Sequence, residues 1–519
     1  MHRFVVALVT LIGLTGATFL AGYLLFFSAT TDRAAALAPA ETAFYANVYL
    51  QPSAGQQMNL GGLIGRLPGF ADEASLDDKV DQVVANLLTS AGLDVDYASE
   101  VKPWLGNQVA VAGWAGDPDP VMVAIVDIKD MDAARTALAD LAGRAGAPTA
   151  PVDYRGAEIH VADEAAYAFV DGLLVIGESA SSIEAVVDVN AGAAALVGRD
   201  DFRGTMADLP ADHLASMFVD LAAIGEATDT DEQLSALSTA GAALVAERDG
   251  LRLSGRAPFD VAGAASSATA GFGLGGEPSS LVDWMPRDTV AELIVFGLRQ
   301  TLEDAEEAAG EMPEGQEVIG ALDSIRALAA FGLGIDIDAD LLPLLDREVG
   351  VALAGLDGEL PRGQILLRPE DPEAGEEALR RVVERLGVIG GSTRMEQHEG
   401  DEITVVSIPD VVDVAFAVRD GIIIIGASVE DVIASLDAHA SGETLAGSDS
   451  YIGAFEVAGT RAGNEAFVDV GAAIELMGGT VALPADARDI LSRIGTFVFT
   501  APSRDDEIDF HAVLTVDEP

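Results

Sequence analysis

A chain of 519 residues, half of them hydrophobic, exceeds a single core and belongs to the globular class. It has no cysteine, which excludes disulfides, thiolate nucleophiles, cysteine-ligated zinc and a cysteine-linked lipid anchor. Its 29 Lys and Arg against 85 Asp and Glu give a formal net charge of -56. Such a surface repels nucleic-acid phosphates and anionic headgroups, and acids spread along the whole chain read as a solvated coat.

Phe4 to Ala29, "FVVALVTLIGLTGATFLAGYLLFFSA", carry no charge. At 1.5 Å per residue this run covers a bilayer core of about 30 Å and exceeds the apolar region of a cleaved signal peptide. It predicts an uncleaved transmembrane anchor over 4–29, with a cytoplasmic stub at 1–3, a juxtamembrane linker at 30–37 and the rest extracytoplasmic. His2 and Arg3 before the span set that orientation. The ladder Gly13, Ala17, Ala21 reads as ordinary composition for such a helix.

From residue 38 the pattern predicts a strand near 44–50, a helix at 76–91, strands at 108–114 and 121–127, and a helix at 131–144. Short strands follow at 158–161, 167–170 and 173–176, the last two joined by Asp171-Gly172, which suits a type I′ turn. Ser179 then caps a helix to about 189. Another strand, a helix near 232–246 and a closing strand at 251–258 complete this first region, 38–260. The stretch 261–280, rich in Gly, Ala and Ser, has linker composition.

The remainder, 281–519, repeats the first region. "FVDGLLVIGESASSIEAVVD" at 169–188 aligns without gaps on "VRDGIIIIGASVEDVIASLD" at 418–437, retaining Asp171/Asp420, Gly172/Gly421, Gly177/Gly426, Ser179/Ser428 and Asp188/Asp437. The same shift of 249 reaches Phe218/Phe467. Upstream it is 240, with Asp96/Asp336, Pro103/Pro343 and Val109/Val349, and near the start it is 247, with Pro39/Pro286 and Thr42/Thr289. Loop insertions produce such steps. The expected fold is α+β: two tandem copies of an antiparallel sheet with helices packed on one face, behind one N-terminal transmembrane helix.

"APAETAFYANV" at 38–48, "RLPGF" at 66–70, "VKPWLGNQVAV" at 101–111 and the "FVDGLLVIG" element resemble an uncharacterised bacterial envelope family, domain-of-unknown-function family 3352. The second copy departs from these motifs, with Leu344 for Trp104 and Asp346 for Gly106. The resemblance implies a membrane-tethered extracytoplasmic protein and carries over no catalytic residue.

Motifs of chemistry fail on context. "GFGLGG" at 271–276 sits in the linker rather than between a strand and a helix. "GESAS" at 177–181 lacks the closing glycine of a nucleophile elbow, and its serines fall at a helix cap. "DIDAD", with Asp336, Asp338 and Asp340, has Leu341 and Arg347 where a calcium loop needs Gly and Glu, so Asp336 and Asp96 read as caps. Asp117 and Asp119 read as turn residues. His2, His160, His213, His398, His439 and His511 show no paired spacing, and no copy repeats one. No catalytic, cofactor-binding or metal residue is assigned. The expected function is a non-catalytic binding or scaffolding module of the envelope, its partner an envelope protein or polymer. A carrier of lipid or another apolar ligand, and a hydrolase with its site between the repeats, remain open.

Overall fold

The computed structural model describes residues 32–51, 53–67, 96–116, 120–144, 150–162, 165–228, 238–258, 277–311, 315–357, 360–388, 391–407, 413–477, 491–504 and 507–518. The expected anchor over 4–29, the helix at 76–91, Asp117 and Asp119, and the run 271–276 lie outside these residues. Among the described residues no helix is long and apolar enough to cross a membrane. The described residues up to 258 fall in one compact unit and residues 277–517 in a second.

Unit 1 contains β1 (Phe44–Tyr49), β2 (Leu105–Trp114), β3 (Val121–Ile128), β4 (Ala150–Tyr154), β5 (Ala157–Ala162), β6 (Ala165–Val170), β7 (Leu173–Gly177), β8 (Ala215–Asp220), β9 (Thr239–Ala246) and β10 (Gly250–Pro258). Every pairing is antiparallel, in the order β4-β5-β6-β7-β3-β2-β1-β8-β9-β10. Unit 2 contains β11 (Ala291–Phe296), β12 (Glu348–Asp357), β13 (Leu360–Arg368), β14 (Ser392–His398), β15 (Asp401–Ser407), β16 (Asp413–Arg419), β17 (Ile422–Gly426), β18 (Asn464–Asp469), β19 (Ile494–Ala501), β20 (Ser503–Arg504) and β21 (Glu507–Val516). Its order, β14-β15-β16-β17-β13-β12-β11-β18-β19-β21, is that of unit 1, with the short β20 turned back on β21. The fold class is mixed helix and antiparallel sheet.

Register fixes which residues correspond. Tyr45 lies opposite Ala112 and Phe218, and Glu292 lies opposite Ala352 and Phe467. Isolated bridges tie Pro39 to Ala195 and Pro286 to Thr444. The β6–β7 and β16–β17 hairpins turn on Asp171-Gly172 and Asp420-Gly421, with φ of 48° and 77°, 52° and 79°. Two successive positive φ values are what a type I′ turn requires.

Three expectations need correction. The helix expected near 232–246 is a strand over its described part, β9, buried almost throughout between β8 and β10. Its alanines favour a helix in isolation, but a central strand covered on both faces carries no alternation to reveal it. Residues 32–37, expected as linker, belong to the fold: Ala34, Ala35 and Leu37 are buried in the main core of unit 1, as Leu281, Val282 and Trp284 are in unit 2. Helices also cover both faces of each sheet rather than one. Ile125 and Val175 pack under Ile183 and Val186 of the helix Ala180–Asn190, while Val126 and Leu174, one row over, pack with Trp104 and with Ala134 of the helix Met131–Arg144. In unit 2, Ile424 meets Val432 and Leu436 of the helix Val429–Ser441, and Ile423 meets Ala378 and Leu379 of the helix Pro372–Val388.

Candidate functional site

On one face of β1 and β2 in unit 1, a polar seam interrupts the apolar core. Asp32 Oδ1 accepts from Tyr45 OH at 2.6 Å, Gln108 Nε2 at 2.6 Å and the Ala35 amide at 2.9 Å. Gln108 Nε2 also donates to Asn47 Oδ1 at 2.9 Å. Burial, and then the Asp32 charge, push the Tyr45 phenol well above its ordinary value, so it stays a donor. Beside the seam, Arg33 joins Asp127 at 2.8 Å and donates to the Asp171 carbonyl of the hairpin turn.

The same face of unit 2 carries other chemistry. Ser279 stands for Asp32, Glu292 for Tyr45, Ile294 for Asn47, Glu348 for Gln108 and Glu465 for Ser216. Arg461 reaches Glu465 with two guanidinium nitrogens, each at 3.1 Å, and donates to the Ser279 carbonyl at 2.6 Å. Its guanidinium also lies over the Tyr451 ring, 5.3 Å from the centroid. Glu348 accepts from Ser279 Oγ at 2.7 Å and from Arg368 at 2.9 Å. Glu292 is 3% exposed, and among the described residues neither carboxylate oxygen has a hydrogen-bond partner. Burial, then the neighbouring Glu465 charge, raise its pKa well above the carboxylate range. A carboxyl without a donor in such a place holds its proton.

The singled-out residues do local work. Ser179 caps the helix Ala180–Asn190 by accepting from the Ser182 amide, and Ser182 Oγ lies 3.4 Å from the Ser179 amide in return. Asp96 and Asp336 cap matching turns of π-helix, Tyr97–Val101 and Ile337–Leu341. Asp340 pairs with Arg381 at 2.9 Å, and Asp338 with Arg326 at 3.2 Å.

Of the histidines, His2 lies outside the described residues. His160 stacks on Tyr167 and His439 on Trp284. His213 lies 2.7 Å from the Pro210 carbonyl, and His511 faces Thr500 across β19 and β21. His398 Nε2 meets Asp437 Oδ1 at 2.6 Å, which raises the imidazole above its ordinary value. Sequence reasoning assigned none of the charged groups of the unit 2 seam. One signal was available, since Glu292 alternates with Ile294 along β11 and therefore shares its inward face. His398 and Asp437 meet only through the fold.

The family described as "Protein of unknown function (DUF3352)" matches residues 4–514. No curated protein sequence matches the chain. Crystal forms III, IV and I of TP0453 resemble it at 10%, 10% and 11% identity, with TM-scores of 0.24, 0.24 and 0.23. They cover 43%, 43% and 45% of this chain, and 78%, 79% and 81% of theirs. Scores of that size carry no argument.

Proposed function

We propose a role from one premise: the chain belongs to the DUF3352 family of proteins of unknown function. It is a duplicated α+β protein, whose copies take in residues 32–37 at the start of the first and Ser279 at the start of the second. A helix over 4–29 tethers it to the cell membrane with both copies outside, where it acts as a non-catalytic binding or scaffolding module of the envelope. One observation carries this reading: the two units share strand order and register, and the positions they retain are spent on holding the fold. Gly177 and Gly426 let a helix start close against a strand end, since an added Cβ would come within 2.2 Å of Ser182 Oγ or 2.8 Å of Asp431 Cβ. Ser179 and Ser428 cap those helices. Asp220 and Asp469 each accept from an amide three residues on, at 2.9 Å.

Two like units on one chain engage a repeated or two-fold target with raised effective concentration, without new contacts. The test is to extract the protein gently from its own membranes and identify by mass spectrometry the proteins, polymers and lipids that accompany it. An envelope protein or polymer is expected. One lipid species at one or two per chain would replace this reading with a carrier. A hydrolytic activity lost on changing one side chain would replace it with an enzyme. Protease added to intact cells is expected to digest both copies while the membrane keeps the N-terminus, and full protection would refute the topology.

A further inference from the structure

The β14–β15 hairpin turns on Glu399-Gly400, with φ of 49° and 105°, and its tip lies by the last turns of the helix Val429–Ser441. In unit 1 the β4–β5 hairpin turns on Arg155-Gly156 in the same way, beside the helix Ala180–Asn190. Register equates the two: Ile159 lies opposite Ala168 as Ile403 lies opposite Ala417, so Tyr154, Arg155 and Asp188 correspond to His398, Glu399 and Asp437. The aspartate is retained. In unit 1 it is neutralised within the chain, because Arg155 Nε lies 2.9 Å from Asp188 Oδ1 and the Tyr154 hydroxyl donates to both carboxylate oxygens at 3.1 and 3.2 Å. In unit 2 the arginine has become a glutamate and the tyrosine a histidine. The nearby Asp401 is occupied by Arg419 at 2.7 Å. Two carboxylates and one imidazole are thus left facing one another, with all three ligating atoms within 4.8 Å.

We propose that His398, Glu399 and Asp437 bind one divalent transition-metal ion of the zinc type, in the place where Arg155 supplies the positive charge in unit 1. One imidazole nitrogen with two carboxylate oxygens is a zinc-type donor set, whereas calcium and magnesium favour oxygen-only shells. Bonds of about 2.0–2.2 Å need modest closure of the three groups. Glu399 and Asp437 are both exposed, so their carboxylates are accessible to an ion from solvent.

The full chain, made without a histidine tag and stripped of metal, is titrated with zinc chloride in millimolar calcium and magnesium, which saturate general binding to the acidic surface. Calorimetry is expected to show one saturable zinc per chain, and cobalt(II) to give an absorption band of nitrogen and oxygen ligation. His398→Ala, and Glu399→Arg, which restores the unit 1 charge pattern, are each expected to weaken zinc about tenfold or more. Asp188→Asn leaves it unchanged. No saturable uptake, or one equivalent retained in both unit 2 variants, overturns the site, as does equal loss in Asp188→Asn.

Discussion

Unit 1 and unit 2 solve one folding problem with different electrostatics. Where unit 1 sets one carboxylate, Asp32, among a phenol, an amide side chain and a backbone amide, unit 2 buries Glu292, Glu348 and Glu465 with Arg461 and Arg368. Beside the seam, where unit 1 has the ion pair Arg33–Asp127, unit 2 has Ser280 and Arg368, which bond at 2.8 Å. The shared backbone tolerates either arrangement because each seam closes on the same face of corresponding strands. The retained residues specify the fold, while the polar groups between them are free to diverge.

The largest separation is expected at Arg461. Arg461→Met removes the only cation bonded to Glu465 among the described residues and leaves two buried carboxyls side by side. Breaking a buried pair from one side costs about 3–5 kcal/mol. The corresponding residue in unit 1 is Asp212, which is exposed and accepts from Ser53 Oγ at 2.8 Å, so Asp212→Ala is expected to cost under about 1 kcal/mol. Hydrogen exchange in β18 and β8 reads each unit separately. Equal losses would mean that the charged seam is not what holds β18 in place.

Glu292 gives the next effect, and its sign follows from linkage. Its pKa is raised in the fold above the ordinary glutamate value of 4.5, so the native state keeps a proton that the unfolded chain gives up. Its favourable contribution is complete below about pH 4.5 and lost as pH rises through the folded value. Unit 2 should therefore weaken as pH rises above about 4.5 in that window, and Glu292→Gln should flatten that slope. Glu465, also raised by burial against the pull of Arg461, keeps part of the slope. Tyr45, at the same place in unit 1, has no ionisation in that window. A slope unchanged in Glu292→Gln would show that Glu292 is ionised in the fold.

The turns were legible in the sequence, because Asp-Gly between two apolar runs carries its own backbone chemistry. So was the helix Met131–Arg144, and strands such as β3 and β7 to within about two residues at each end, the scatter usual for element ends. The second helical layer was legible too, since the unbroken apolar run Ile422–Ile425 implies a strand covered on both faces, and the expectation of helices on one face overlooked it. At the turns, the units differ only in their surroundings. A Cβ on Gly421 would sit 3.2 Å from Pro372 Cγ, a rigid ring, whereas one on Gly172 would meet the flexible end of Arg33 at 3.4 Å. Both positions have positive φ, so Gly172→Ala and Gly421→Ala are each expected to cost about 1–2 kcal/mol in chemical denaturation, Gly421→Ala the more. The reverse order would place the stiffer environment in unit 1.

A further difference is expected between the two helix caps, where the retained serines have different companions. Ser179 accepts from the Ser182 amide at 3.3 Å, and Ser182 Oγ is satisfied separately by the Ser179 carbonyl at 2.7 Å. Ser179→Ala therefore removes one capping bond, a loss of about 1 kcal/mol. Ser428 accepts from the Asp431 amide at 3.1 Å and also donates to Asp431 Oδ2 at 2.8 Å. The Asp431 carboxylate is buried, and Arg362 stands 3.7 Å from its other oxygen. Ser428→Ala thus removes the cap and a donor to a buried charge together, and is expected to cost about 2–3 kcal/mol. Ser428→Ala with Asp431→Ser recreates the serine at this position of unit 1, and is expected to recover part of that loss by removing the stranded charge. If the double variant is no more stable than Ser428→Ala alone, the cost lies in the cap and the two units differ only in appearance at this point.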